Sequence, residues 1–163
     1  MWQPHEGRPM SSLYFLDDYK NCQPDVQFWR FAITGCDRNS KLQIWSCEKW
    51  VCLQTIKFQP SPPPVLKAGL DLASGFLLMS DIANKALYIL SLSKDMTDSV
   101  ACIASISKFL LPYSILSFAI GDAGMRMVRP TGESLEDLCP CEDESEDQHV
   151  IRMYLMLPKS LQE

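Results

Sequence analysis

The sequence has no apolar run long enough for a membrane-spanning helix, which needs about 18 or more consecutive apolar residues. Its first ten residues, MWQPHEGRPM, also lack the apolar core of a secretory signal peptide. At 163 residues, 47% of them apolar and 21% charged, the chain has the composition of an ordinary globular domain. These observations predict one globular domain that is neither secreted nor embedded in a membrane.

Catalytic motifs are missing as well. The sequence contains no G-x-S-x-G, H-E-x-x-H or G-x-x-x-x-G-K-[ST] pattern, and neither histidine, His5 nor His149, accompanies a nucleophile in a turn. The carboxylates of Asp71 and Asp81 fit solvent-exposed turns better than a general acid–base pair. We therefore predict a protein without catalytic residues and without a cofactor-binding site.

No cysteine pattern indicates disulfides or a metal site. The seven cysteines are odd in number and follow no secretory signal, which favours free thiols in a reduced compartment. Cys139, Cys141 and His149 come nearest to a zinc pattern, but Cys-Pro-Cys spacing is too tight and a fourth ligand is missing. We predict no metal site, and free thiols at Cys139 and Cys141.

Basic residues form no run and do not alternate with aromatic ones, so the pattern does not indicate a nucleic-acid groove, and direct RNA contact stays open. The net charge of −5 arises from residues 133–147, which contain eight acids and no Lys or Arg. The remaining chain has 15 basic and 12 acidic residues, a net charge of +3. The acidic segment is either a solvated insertion or a docking or phosphorylation site, with Ser134 and Ser145 as candidate acceptors.

A repeat without gaps is the strongest positive feature of the sequence. Residues 31–45 read FAITGCDRNSKLQIW and residues 76–90 read FLLMSDIANKALYIL, an offset of 45 residues. Each copy is an apolar run, a polar turn centred on Asn39 or Asn84, and a second run with alternating apolar positions. A period of about 40–45 residues built from short strands is typical of one propeller blade.

The pattern predicts an all-β propeller fragment of about two and a half blades, each a four-stranded antiparallel sheet. We place the end of a blade at residues 12–58, a blade at 65–111, and an incomplete blade at 113–163 with an acidic loop at 131–149. Residues 93–99 are expected to form a polar loop longer than its counterpart in the first copy. Residues 106–111 are a candidate helical turn.

A blade cannot bury both of its faces by itself. An incomplete ring leaves one bare face at each end, and we assign Phe28, Phe31, Ile115 and Phe118 to these faces. We therefore expect the chain to be part of a longer protein. We also expect the isolated chain to associate with itself through these faces and through unpaired strand edges.

Three tryptophans are candidates for an aromatic patch that binds a partner. Trp45 lies in an alternating strand and is expected to pack between blades, and Trp29 lies in the predicted strand at 28–34. Trp50 lies in the turn before the next strand and is the best candidate for an exposed partner contact, since exposed aromatic residues often anchor interfaces. The alternative is a purely structural role.

Several of these residues resemble a WD repeat. Thr34-Gly35, the sequence LQIW at 42–45 and the sequence CLQTI at 52–56 match three consecutive parts of such a repeat. The family's Asp after Trp is replaced by Ser46, no Gly-His pair precedes either copy, and the second copy has Leu90 in place of the Trp. We therefore predict that the Asp–His–Ser–Trp hydrogen-bond network of many WD repeats is absent.

A narrower resemblance covers residues 24–118. The sequences PDVQFWRF at 24–31, WVCLQTI at 50–56 and SISKFL at 105–110 are similar to the propeller of a family of mRNA-decapping scaffold proteins. The resemblance implies a non-enzymatic scaffold that promotes assembly of the decapping complex in cytoplasmic P-bodies. Its implied partners are the decapping enzyme and the decapping activators. The alternative is a WD-repeat protein-interaction module of another cytoplasmic complex.

Overall fold

The computed structural model describes residues 2–21, 24, 26–59, 63–128 and 146–158, and these form ten β-strands and one short 3-10 turn at Pro4–Gly7. The strands are β1 (Met10–Phe15), β2 (Phe31–Cys36), β3 (Lys41–Ser46), β4 (Val51–Lys57), β5 (Leu66–Leu70), β6 (Phe76–Asp81), β7 (Ala86–Asp95), β8 (Val100–Leu110), β9 (Ser117–Val128) and β10 (Glu146–Met156).

Two antiparallel four-stranded sheets contain the first eight strands, in the orders β1-β2-β3-β4 (sheet 1) and β5-β6-β7-β8 (sheet 2). The repeat maps onto them directly: β2 and β6 begin at Phe31 and Phe76, and β3 and β7 begin at Lys41 and Ala86. Alternating apolar residues with aromatic and β-branched side chains favour strands that are buried on a face. The predicted all-β fold is confirmed.

Sheets 1 and 2 pack face to face through alternate side chains. Sheet 1 contributes Phe31, Ile33, Leu42 and Ile44, and sheet 2 contributes Leu77, Met79, Tyr88 and Leu90. All eight side chains are buried. Because successive residues of a strand point to opposite faces, Thr34 and Trp45 point away from sheet 2, and Leu78 points away from sheet 1.

The antiparallel pair β9 and β10 forms a separate two-stranded sheet beside sheet 2. Gly69 of β5 permits the close approach, since a Cβ at this position would lie 2.8 Å from the ring of Phe118. At the other end of the pair, the rings of Phe76 and His149 meet edge-on with centroids 5.3 Å apart. Sheet 2 is thereby flanked on both faces.

Two of the four side chains that we assigned to bare faces are in fact buried. Phe31 packs between sheets 1 and 2, and Ile115 lies in the connection before β9; each is 2% exposed. Phe28 is exposed, as expected, and Phe118 is half-buried against Gly69. The prediction failed because it placed Phe31 on the outer face of its strand, whereas the alternation turns Phe31 and Ile33 toward sheet 2.

Three predicted boundaries are wrong. Residues 106–110 continue β8, paired with β7 down to Ala86↔Leu110, and form no helical turn. The connections 47–50 and 96–99 have equal length, and the longer second copy reflects the ten residues of β7 against six in β3. β10 begins at Glu146, inside the stretch 131–149 that was predicted to be an acidic loop.

Some predictions concern residues outside the described part of the chain. Cys139, Cys141, Ser134 and Ser145, with most of the acidic segment, belong to this group. Within the described ranges, no helix has the length and apolar character needed to cross a membrane.

Candidate functional site

A buried hydrogen-bond network joins the N-terminal residues to sheet 1. Trp45 Nε1 donates to Thr34 Oγ1 at 2.9 Å, and the same oxygen lies 2.8 Å from His5 Nε2. Our prediction that the WD-repeat network is absent is therefore wrong for three of its four members. The prediction was wrong because it expected the histidine of this network to follow a Gly, whereas His5 follows Pro4. His5 reaches Thr34 from a left-handed backbone conformation, with φ 54°.

None of the described residues takes the place of the acidic member of the network. His5 Nδ1 is buried and has no hydrogen-bond partner among the described residues. Burial lowers the pKa of His5, the positive charges of Lys41 and Arg8 lower it further, and Thr34 and Asp37 oppose the shift. The neutral imidazole is therefore the form that the folded protein favours.

Residues 2–8, the N-terminal segment, cover the face of sheet 1 that points away from sheet 2. The rings of Trp2 and Trp45 meet edge-on with centroids 5.5 Å apart, and the His5 backbone N–H donates to Gln43 Oε1 at 3.0 Å. An ion pair between Arg8 and Asp37, 2.9 Å long, holds the end of the segment. The segment thus shields Thr34 and Trp45 from solvent.

The pKa of His5 leads to a prediction about pH. We expect the free energy of unfolding to fall as the pH decreases from about 7 to about 5, because the unfolded state then binds a proton at His5 that the folded state still rejects. Urea unfolding at steps of pH measures this dependence. The variant His5→Gln should flatten it. A slope that survives in His5→Gln would contradict the assignment.

The antiparallel order places the connections 16–30, 47–50, 71–75 and 96–99 at one end of sheets 1 and 2, which we call the crevice end. Trp50 lies there and is 52% exposed, with its ring 4.8 Å from the ring of Trp2. Trp29 lies there too and is 64% exposed. The predicted exposure of Trp50 is confirmed, and its contact with a partner stays a prediction.

Between the two sheets, this end opens into a crevice of about 270 Å³. Its apolar walls come from Leu16, Val26, Phe28, Phe31 and Met96. Four exposed aromatic residues stand in and beside the crevice as two pairs, Tyr19–Phe28 and Phe15–Trp29, with ring centroids 5.7 and 6.4 Å apart. Rigid aromatic side chains at an apolar opening are typical of protein-binding surfaces.

Two carboxylates line the crevice and accept hydrogen bonds from their own loop. Asp17 accepts the backbone N–H of Trp29 at 2.9 Å and the hydroxyl of Tyr19 at 3.3 Å. Asp18 accepts the backbone N–H groups of Lys20 and Asn21 at 3.0 and 2.8 Å. Burial works to raise the pKa of Asp18, but these hydrogen bonds outweigh it and hold the pKa below its ordinary value.

Two cations line the same crevice. Lys94 Nζ donates to the backbone carbonyls of Leu16 and Ala73 at 3.2 and 3.3 Å, joining the two sheets. Burial lowers the pKa of Lys94, although the carboxylates of Asp18, Asp71 and Asp17 act in the opposite direction. Arg30 Nη2 donates to Ser99 Oγ at 2.6 Å across the crevice.

Asp71 follows β5 and Asp81 ends β6, each at the start of a turn, but both are buried and not solvent-exposed. Asp71 accepts the backbone N–H groups of Ala73 and Phe76 at 3.0 and 2.6 Å. Asp81 accepts those of Ala83 and Asn84, each at 3.1 Å. A short side chain that satisfies turn N–H groups stabilises the turn, which gives both aspartates a structural role.

The described part of the chain holds no group of three or more His, Cys, Asp or Glu side chains that is placed to bind a metal ion. Four of its cysteines, Cys36, Cys47, Cys52 and Cys102, are free thiols. Burial raises the pKa of Cys36 and Cys47, and the nearby carboxylates of Asp37 and Asp17 respectively raise it further. These two thiols are therefore poor nucleophiles.

Sequence reasoning missed the crevice and the role of His5. The crevice is built by residues far apart in sequence, such as Arg30 and Lys94, which are 94 − 30 = 64 positions apart, and no local pattern brings these together. A signal for His5 existed: a histidine five residues before the first strand, in the position that precedes the inner strand of a WD repeat.

The four-stranded sheets and the His5–Thr34–Trp45 network define the class of this protein: it is a partial WD-repeat propeller. The family model for the WD40 region of Ge1, enhancer of mRNA-decapping protein, matches residues 1–97. The chain belongs to this family, and the resemblance found in the sequence is confirmed.

Several curated relatives are similar to almost the whole chain. Enhancer of mRNA-decapping protein 4 of Danio rerio is 40% identical over 181 residues, covering 99% of this chain and 13% of the relative. Its Homo sapiens counterpart is 43% identical over 151 residues, covering 89% and 10%. The Drosophila melanogaster homolog is 31% identical over 186 residues, covering 99% and 14%. The chain thus spans between a tenth and a seventh of the length of these relatives.

Proposed function

We propose that this chain is a non-enzymatic scaffold module of the mRNA-decapping machinery, which binds the decapping enzyme or its activators and promotes assembly of the decapping complex. Support comes from the family, whose relatives carry the name enhancer of mRNA-decapping protein 4. The proposed location is the cytoplasm, in P-bodies. A WD-repeat fold is suited to this work because its rigid sheets present connecting loops as one surface.

One observation carries the binding part of the proposal: five of the eight exposed aromatic residues in the described part of the chain, Phe15, Tyr19, Phe28, Trp29 and Trp50, lie at the crevice end. Trp29 and Trp50 are more than half exposed there, and Phe15 and Tyr19 stand beside Trp29 and the crevice. Burying a tryptophan in an interface contributes a large share of binding energy, whereas keeping it in water gives no stability. We propose that Trp50 contacts a partner directly, as does Trp29.

Imaging in cells tests the proposal. We expect the fluorescently tagged chain to concentrate in the cytoplasmic granules that contain the decapping enzyme. The double variant Trp29→Ala, Trp50→Ala should reduce this enrichment by roughly tenfold or more, the loss expected for interface tryptophans. Leu110→Ala is the matched control, because Leu110 is a 77% exposed apolar residue at the opposite end of β8.

Three outcomes separate the candidates. Enrichment that is lost in the tryptophan variant and kept in Leu110→Ala supports the proposal. If the tagged chain stays diffuse in the cytoplasm although the purified chain is folded, the chain is not part of the decapping machinery. This outcome favours the alternative, a WD-repeat interaction module of another complex. Enrichment that is unaffected in the tryptophan variant contradicts the crevice end as the binding surface.

A further inference from the structure

Arg30 and Lys94, which line the crevice between sheets 1 and 2, have N–H donors that no described residue accepts. The guanidinium of Arg30 has five N–H donors, and its one bond to a described residue goes to Ser99. The ammonium of Lys94 has three donors, and two of them are used by the carbonyls of Leu16 and Ala73. Five N–H groups of Arg30 and Lys94 therefore have no acceptor among the described residues.

The two carboxylates of the crevice, by contrast, already accept hydrogen bonds from their own loop. Asp17 receives the Trp29 backbone N–H and the Tyr19 hydroxyl, and Asp18 receives three N–H groups from Lys20 and Asn21. Both carboxylates are thus committed to holding the loop 16–30 in shape. A basic ligand would have to compete with these bonds for the two carboxylates, whereas an acidic ligand can accept from the N–H groups of Arg30 and Lys94 that no described residue uses.

The ammonium of Lys94 is partly removed from solvent at the crevice. Burial lowers its pKa even though three carboxylates, Asp18, Asp71 and Asp17, act to raise it. A further anion at the crevice would favour the charged ammonium, so the binding of a carboxylate and the charge on Lys94 would reinforce each other.

The rest of the crevice is apolar. Val26, Phe28 and Met96 line it next to the two cations, and its volume of about 270 Å³ is below the range of about 300–1,000 Å³ that is usual for small-molecule pockets. A space of this size accepts one or two side chains of an extended peptide. An aliphatic side chain fits it, and methionine adapts its shape to such a guest.

From this geometry we infer that the crevice binds a peptide of a partner protein in which an acidic side chain adjoins an aliphatic one. The carboxylate pairs with Arg30 and Lys94, and the aliphatic side chain enters between Val26, Phe28 and Met96. This inference rests on the proposed function, the binding of proteins, and adds the chemistry of the bound segment.

Selection from a random peptide library tests the inference without assuming a sequence. A library of random 12-residue peptides displayed on phage is selected on the immobilised chain and counter-selected on the variant Arg30→Gln. We expect the enriched peptides to place Asp or Glu next to Leu, Ile or Met. Enrichment of basic or proline-rich peptides, or no enrichment relative to the Arg30→Gln variant, would overturn the inference.

Fluorescence anisotropy with an enriched peptide measures the contacts individually. We expect Arg30→Gln to raise the dissociation constant by about tenfold or more, as for a charge-assisted hydrogen bond, and added salt to weaken binding. Lys57→Gln, which removes an exposed cation on β4, is the control and should leave the constant unchanged. Equal weakening in both variants would indicate nonspecific charge attraction and would overturn the inference.

The inference and the proposed function fail in different ways. If Arg30→Gln binds the selected peptides normally but the chain still enters decapping granules, the crevice chemistry is wrong and the proposed function stands. If the chain binds acidic peptides through Arg30 but never enters the granules, the crevice chemistry stands and the complex is a different one.

Discussion

We expect Trp45→Ala to lower the free energy of unfolding by about 3–5 kcal/mol, the usual range for removing a large buried aromatic side chain. Trp45 is 7% exposed and packs against Trp2. The substitution also removes the hydrogen bond from Trp45 Nε1 to Thr34, which is the acceptor that the His5 ring contacts. The loss is therefore expected at the upper end of that range, because Trp2 loses its ring contact with sheet 1 and Thr34 loses one of its two side-chain hydrogen-bond partners.

Trp50→Ala is the matched control for this prediction. Trp50 is also a tryptophan packed against Trp2, but it is half exposed and donates no hydrogen bond to a described residue. We expect it to cost about 1 kcal/mol or less, since surface substitutions are usually small. Chemical denaturation of the two purified variants compares them. Equal losses would contradict the assignment of Trp45 to the buried network.

Leu90→Ala is expected to have the second largest effect, a loss of about 2–5 kcal/mol in the free energy of unfolding. Leu90 is 0% exposed and lies in the cluster between sheets 1 and 2, where Met79 and Tyr88 of its own sheet face Ile33 of the other. Truncating it leaves a cavity between two sheets that are each fixed by a backbone ladder and cannot close the gap.

Leu110→Ala removes the same atoms from a residue that is 77% exposed, and it should change stability by roughly 0.5 kcal/mol or less. Thermal melts and urea titrations of both leucine variants measure the difference. If Leu90→Ala were as mild as Leu110→Ala, the two sheets would not share the core described above.

The repeat predicted the fold because its physical basis is local. Apolar runs at 31 and 76 with polar turns at Asn39 and Asn84 set both the strands and their antiparallel pairing, and the structure keeps the 45-residue offset between β2 and β6. Exposure of Trp50 followed from its place in a turn. These features depend on neighbours within about ten residues, which a single sequence displays.

The features that sequence reasoning missed depend on distant neighbours. His5 meets Thr34 across 29 positions, and Arg30 meets Ser99 across 69. The sequence around Asp71 and Asp81 is typical of surface acids. Only the turn geometry shows that their carboxylate oxygens accept hydrogen bonds from backbone N–H groups. Burial of Phe31 was misjudged for a related reason, since the face of a strand that becomes the core is decided by the sheet packed against it.

Binding of purified components tests the central claim most directly. The immobilised chain is incubated separately with purified decapping enzyme and with each purified decapping activator, and the retained protein is quantified; cap release from capped RNA is measured in parallel. We predict that the chain retains at least one of these proteins, that Trp29→Ala with Trp50→Ala reduces retention by roughly tenfold or more, and that the chain alone releases no cap nucleotide. A folded chain that retains none of them, or that releases the cap by itself, would contradict the account.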